Sequence, residues 1–192
     1  EKAVAYPSMS VYDFEDTLTP EESILYDSVR PCILRCFLQK QYKHITQNYG
    51  KEKLVVWLYG ATGSGKDLSA VIVFARKLLV QKGYTTAGDD NFQRLIYKVN
   101  QDMGGFWEGY RNEPVVVYPD LRLKDKKNPN GKPLWQFLNE ANKLDHRVQN
   151  VKGTFTYVTS DILIVTMIEP PQYAFDGETN GNSDVENFLG MI

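Results

Sequence analysis

The sequence predicts a three-layer α/β domain with a largely parallel central sheet, preceded by a small helical segment. Three observations predict it. From Leu54 onward, short and fully apolar runs alternate with amphipathic stretches, the pattern of strands covered by helices on both faces. "VVWLYGATGSGKDLSA", residues 55–70, reads as strand, glycine-rich loop and helix start in that order. Before Leu54 the texture is helical and lacks such strand-like runs.

The elements follow in chain order. Residues 1–17 mix Pro, Ser, Asp and Glu and read as an extended lead-in. "TPEE" opens a helix, with Thr19 as cap, Pro20 in the first turn and Glu22 three residues past the cap. Pro31 interrupts the pattern and is suited to open a second helix running towards Tyr49 and Gly50, so residues 18–50 form a two-part helical segment. The main domain is expected over 51–192. Its buried strands are "KLVVWLYG", "PVVVYPDLR" and "DILIVTMIEPP"; "DLSAVIVFARKLLVQKG" is a helix ended by Gly83. Between the last two strands come a helix, "PLWQFLNEANKL", and a strand–turn–strand, "RVQNVKGTFTYVTS".

Bulk properties exclude several functions. The net charge of −2 offers no global attraction to nucleic acid, so any such contact needs a local basic feature. No apolar run approaches the roughly 18 residues of a membrane span, and the opening "EKAVAYPSMS" lacks the layout of a secretory signal. The chain does not begin with Met, as expected of a piece of a longer polypeptide. Cys32 and Cys36 share one helix face and read as buried free thiols of a reducing compartment. His44 and His146 are too far apart in sequence to suggest a paired-histidine metal or nuclease centre.

The glycine-rich loop carries the chemistry. Gly60, Gly63 and Gly65 let the backbone of Gly60, Ala61, Thr62, Gly63, Ser64 and Gly65 wrap a phosphate with its amides turned inwards. Lys66 adds a point charge for the terminal phosphates, and the helix opening there adds its positive dipole end. The flanking strand and helix supply the context that such a motif requires. Where a Ser or Thr hydroxyl should hold magnesium stands Asp67. A second strand ends in Pro119-Asp120, where a nucleotide hydrolase keeps its metal-binding acids. The third, "LIVT", should end in a polar residue that senses the terminal phosphate.

The order and spacing of "WLYGATGSGK", "GGFWEGYRNEPVVVYPDLR" and "PLWQFLNEANKLDHRVQNVKGTFTYVTSDILIVTMIEPPQYAF" resemble a superfamily 3 helicase domain over residues 54–192. The resemblance is greatest to replication initiator (Rep) proteins of circular single-stranded DNA viruses and related plasmids. It implies an AAA+-like P-loop fold using ATP and Mg2+, assembled as a homo-oligomeric ring, commonly a hexamer. It implies 3′-to-5′ translocation on single-stranded DNA during rolling-circle replication, with an origin-nicking nuclease N-terminal to Glu1. The helices before residue 51 resemble the oligomerisation segment of such proteins. The location implied is the host nucleus for a eukaryotic virus and the cytoplasm otherwise. By position Lys66 binds phosphate, Asp120 is the surviving Walker B acid, and Asp67 and Asp120 are the metal ligands. Lys152 and Gly153 of the "NVKGTF" hairpin meet DNA in the central channel, with His146, Arg147 and Lys143 as the basic surroundings.

Four departures fall on chemistry. Asp67 replaces the magnesium-binding hydroxyl, and Pro119 replaces the first acid of the usual pair. Met167 or Ile168 stands at the sensor position, and Met191 at that of an arginine finger, unless the finger lies beyond Ile192. A carboxylate at 67 is able to ligate magnesium, but two unit charges about 4 Å apart interact by roughly 4 kcal/mol at an effective dielectric of 20. A missing finger costs more, about 10³–10⁵ in rate in related sites. The alternatives are a catalytically impaired module that still binds nucleotide and DNA and oligomerises, a related viral RNA helicase, and a simpler kinase-like enzyme. Trp57, Trp107, Trp135 and Tyr110 are aromatic enough to stack bases, but core positions are the ordinary reading for them.

Overall fold

The computed structural model describes residues 14–47, 53–101, 107–123, 137–138, 148–151 and 154–175. Its first long element is helix α1, Pro20–Gln47. The capping box forms as expected: the Thr19 amide donates to Glu22 Oε2 at 2.9 Å, and the Glu22 amide donates to Thr19 Oγ1 at 3.3 Å.

Two expectations fail in this region. Pro31 lies inside a continuous helix rather than between two. It removes one backbone donor, a loss that packing on both sides offsets: Tyr26 and Phe37, before and after it, both bury against Phe14. Phe14–Thr17, the described part of the lead-in, is not extended: Phe14 and Glu15 are helical and Asp16–Thr17 turn, with the Thr17 amide and hydroxyl donating to the Phe14 carbonyl at 3.0 and 2.7 Å. The thiol reading also fails. Cys32 and Cys36 are exposed, because the face of α1 that packs carries Tyr26, Ile33 and Phe37 instead.

The main domain is an α/β unit. Strands β1 (Leu54–Tyr59), β2 (Ile96–Lys98), β3 (Val115–Tyr118) and β6 (Ile162–Met167) make a four-stranded sheet in the order β1-β6-β3-β2, every pairing parallel. The three anticipated strands fall where the apolar runs lie. Strand β2 was not anticipated, since three residues carry too little periodicity to register. Strands β4 (Val148–Val151) and β5 (Thr154–Tyr157) pair antiparallel, as the strand–turn–strand reading requires.

After the glycine-rich loop, α2 (Lys66–Ser69) runs through a π-helical turn, Ala70–Ala75, into α3 (Arg76–Gln81). The helix ends at Gly83, with φ +78°, in a Schellman arrangement: Tyr84 N donates to Leu79 O at 2.9 Å and Gly83 N to Val80 O at 3.1 Å.

Strict alternation along the strands splits the core in two. Ala70, Ala75 and Leu79 pack with Val115, Val117, Ile162 and Ile164 on the helix face. On the other face Val116, Tyr118, Leu163 and Val165 meet an aromatic cluster that includes Trp107, Tyr110, Phe137 and Phe175. Trp107 and Tyr110 contact Tyr97 edgewise or tilted, with centroids 5.5 and 5.2 Å away, so both are core residues and not base-stacking platforms. Trp57 is partly buried against the same cluster, and its ring N–H donates to the Glu169 carbonyl at 3.2 Å. Among the described residues no helix is long and apolar enough to cross a membrane.

Candidate functional site

Three strand ends meet at one edge of the sheet. Because every strand is parallel, β1, β3 and β6 all finish on the same side, where open α/β sheets place their ligands. The Gly60 amide donates to the Met167 carbonyl at 3.2 Å, so the glycine-rich loop leaves β1 where β6 ends. Leu121 N donates to the Thr166 carbonyl at 2.8 Å, which ties the turn after β3 to the same point.

The loop itself is exposed from Ala61 to Gly65, and Lys66 is half-buried at its end. Gly63 and Gly65 adopt φ +81° and +76°, conformations that L side chains rarely take. A Cβ on Gly60 would approach Ser64 Oγ at 3.3 Å, so glycine also fits sterically there. Left-handed Gly65 followed at once by helical Lys66 is a backbone alternation that turns successive N–H groups towards one concavity. A concave cradle of this kind accepts anions.

Asp67 lies in the first turn of α2, and its carboxylate accepts a short hydrogen bond from the Thr166 hydroxyl. Thr166 follows Ile162 and Ile164 on the helix-facing side of β6 and is fully buried. Its oxygen also accepts the Asp120 amide at 2.7 Å. Thr166 therefore links the phosphate-loop helix to the acidic turn. Asp120 itself has φ +48°, an uncommon conformation for a residue with a side chain. Gln101 clamps that turn: its side-chain amide donates to Pro119 O at 2.6 Å and Asp120 O at 3.1 Å, while its Oε1 accepts Arg122 N at 2.9 Å. The Asp120 carboxylate lies 3.7 Å from the Arg122 guanidinium, a half-exposed pair of small energetic weight.

The structure thus brings Lys66, Asp67 and the Asp120 turn to one edge. Asp67 and Asp120 meet through Thr166, and no group of three or more acidic, His or Cys side chains forms among the described residues. Met167 is the last residue of β6 and Ile168 is exposed just beyond it, so neither offers the polar sensor expected there. The polar group of that strand is Thr166, one residue earlier. Sequence reading passed over it and Gln101. Period-2 alternation from Ile162 and Ile164 marks Thr166 as facing the helix, but only the strand order shows what it faces. His146, Arg147, Lys152, Gly153, Lys143, Trp135 and Met191 lie outside the described residues, as does most of "PLWQFLNEANKL".

The family model described as RNA helicase matches residues 56–167, more than half of the chain and the span from β1 to the end of β6. The chain belongs to this helicase family. The match covers the glycine-rich loop, the acidic turn and Thr166 together, so the geometry above is that of a superfamily 3 helicase domain. No curated protein matches the chain. In a helicase of this class the cradle and its neighbouring carboxylates serve nucleotide and magnesium generally.

Proposed function

We propose that the chain is the Mg2+-dependent ATPase motor of a rolling-circle replication initiator, moving on single-stranded DNA as a homo-oligomeric ring and turning over slowly. The observation that carries the reading is the convergence of the glycine-turned loop, Lys66, the Asp67–Thr166 pair and the Asp120 turn at one sheet edge. The donor set fits the cofactors: backbone amides and an ammonium suit phosphate oxygens, and carboxylates suit Mg2+. When bound, MgATP supplies the phosphoryl group to be transferred. The loop amides hold its oxygens, Lys66 offsets their charge, and Asp67 and Asp120 hold the metal. Slow turnover follows from Met167 and Ile168, whose apolar side chains orient no water.

Self-association draws support from α1. Leu25, Val29, Cys32 and Cys36 are all exposed and follow one another at spacings of four, three and four, the repeat of a helix-to-helix seam. Exposed Leu68, Ile72 and Val73 add apolar surface next to the phosphate loop. Lys152, Gly153, Arg147 and His146 are proposed as the DNA contact, on the family resemblance of the hairpin.

A second reading, translocation on RNA, is favoured by the description of the matching family model. Strand displacement separates the two. Forked DNA and RNA duplexes with 3′ tails are offered to the protein with ATP and Mg2+, with Lys66→Ala as control. DNA unwinding lost in Lys66→Ala supports the first reading, RNA unwinding alone replaces it with the second, and unwinding of neither contradicts both.

A further inference from the structure

The Asp67 carboxylate occupies a place where a hydroxyl is expected, and directly against it stands a hydroxyl from a different element. We propose that Thr166 is a positioning residue whose hydroxyl fixes the Asp67 carboxylate for a divalent cation. In this arrangement the loop helix brings an acid where a hydroxyl is expected, and β6 brings a hydroxyl against it. The inference rests on the reading that the loop binds magnesium nucleotide.

The hydrogen-bond inventory of a threonine decides the direction of the effect. One O–H and two lone pairs are available. The proton is given to Asp67 Oδ1, and one lone pair takes the Asp120 amide at 2.7 Å. The residue is fully buried, so its remaining lone pair does not reach a cation in the exposed loop. Thr166 acts through Asp67. The Asp120 amide orients the hydroxyl, and the hydroxyl orients one carboxylate oxygen of Asp67. Rotation of an aspartate at a helix start costs little in water, so a fixed hydroxyl partner determines which oxygen is presented. The same bond ties the position of Asp67 to the turn that carries Asp120.

ADP binding by the full chain tests this without relying on turnover. Calorimetry is run with Mg2+ and again with EDTA, and Mn2+ replaces Mg2+ for the electron paramagnetic resonance spectrum of the bound ion. Thr166→Val keeps the shape and removes the hydroxyl; Thr166→Ser keeps the hydroxyl. The expected result is an approximately tenfold loss of affinity in Thr166→Val with Mg2+. Affinity in EDTA should be unchanged, the Mn2+ spectrum altered, and Thr166→Ser close to the parent. In an Asp67→Ala background, Thr166→Val should cost clearly less than in the parent, leaving only its effect on the Asp120 turn. Equal loss with and without metal, an undiminished loss in Asp67→Ala, or parental binding by Thr166→Val would each overturn the proposal. Circular dichroism checks folding, and Thr166→Ala serves the same comparison if the valine variant does not fold. If ADP binding by the parent responds neither to Mg2+ nor to Lys66→Ala, the nucleotide reading and this inference fall together. If it responds to both while Thr166→Val matches the parent, only the inference falls.

Discussion

Tyr110 shows how one side chain in the "FWEGY" patch is fixed by its surroundings. It is buried, its oxygen accepts the Thr159 amide at 3.1 Å, and its ring meets Trp107 at 5.3 Å. Burial pushes its phenol well above the usual tyrosine range, with hydrogen bonds from Thr159 opposing the shift. The native state therefore keeps a proton that the unfolded chain loses above pH ~10. That stability is fully present below pH ~10 and falls by about 1.4 kcal/mol per pH unit above it, on this residue alone. Burial also raises Tyr26, to about 12, and Tyr84, which donates to the Asp161 carboxylate, so both act in the same direction. Urea melts between pH 8 and 11 should show the midpoint falling only at the alkaline end, with absorbance at 295 nm rising as the protein unfolds. Tyr110→Phe leaves the Thr159 amide without this acceptor and should cost about 1–2 kcal/mol at pH 7 in the same melts. At this scale, legibility in the sequence follows the locality of the cause. Gly63 and Gly65 were readable because their backbone demands are their own. Thr166 and Gln101 were not, because their partners lie on other elements: Asp67 for one, and the Pro119–Arg122 turn for the other.

Among the elements, β1, β3, β6, the β4–β5 hairpin and the phosphate-loop helix are legible in the sequence, whereas the three-residue β2 is not and α1 departs from the expectation at Pro31. "VVVY" and "ILIV" are buried on both faces, so their runs need no periodicity to identify them. Pro31 reads locally as a stop because a proline disfavours helix by about 3 kcal/mol, but burial of Tyr26 and Phe37 on either side outweighs it. The local cost should still be recoverable. Pro31→Ala restores the missing donor and is expected to stabilise the protein by about 2 kcal/mol, after some loss to the more flexible unfolded chain. A lower urea midpoint for Pro31→Ala would mean instead that a proline bend is what seats Phe37 on Phe14. The thiols were misplaced for a related reason: spacing put Cys32 and Cys36 on one face but did not say which face packs.

For the whole molecule, parallel strand order gathers the glycine-rich loop, Asp67 and the Asp120 turn at one edge, while α1 leaves Leu25, Val29, Cys32 and Cys36 exposed as the proposed seam. If that seam joins two copies, mild oxidation should link Cys32 or Cys36 across them, giving a dimer band on non-reducing gels that Cys32→Ser/Cys36→Ser abolishes. Only monomer under conditions that oxidise the thiols would contradict a seam at these residues. The central claim concerns the other end of the domain, where a superfamily 3 scaffold carries Asp67 in place of a hydroxyl. The direct measurement is Mg2+-dependent ATP turnover of the chain with single-stranded DNA, compared with Lys66→Ala. Slow turnover that needs Mg2+ and disappears in Lys66→Ala is the predicted result. Turnover equal in the two proteins, or absent from both, would contradict an active nucleotide site built on this loop.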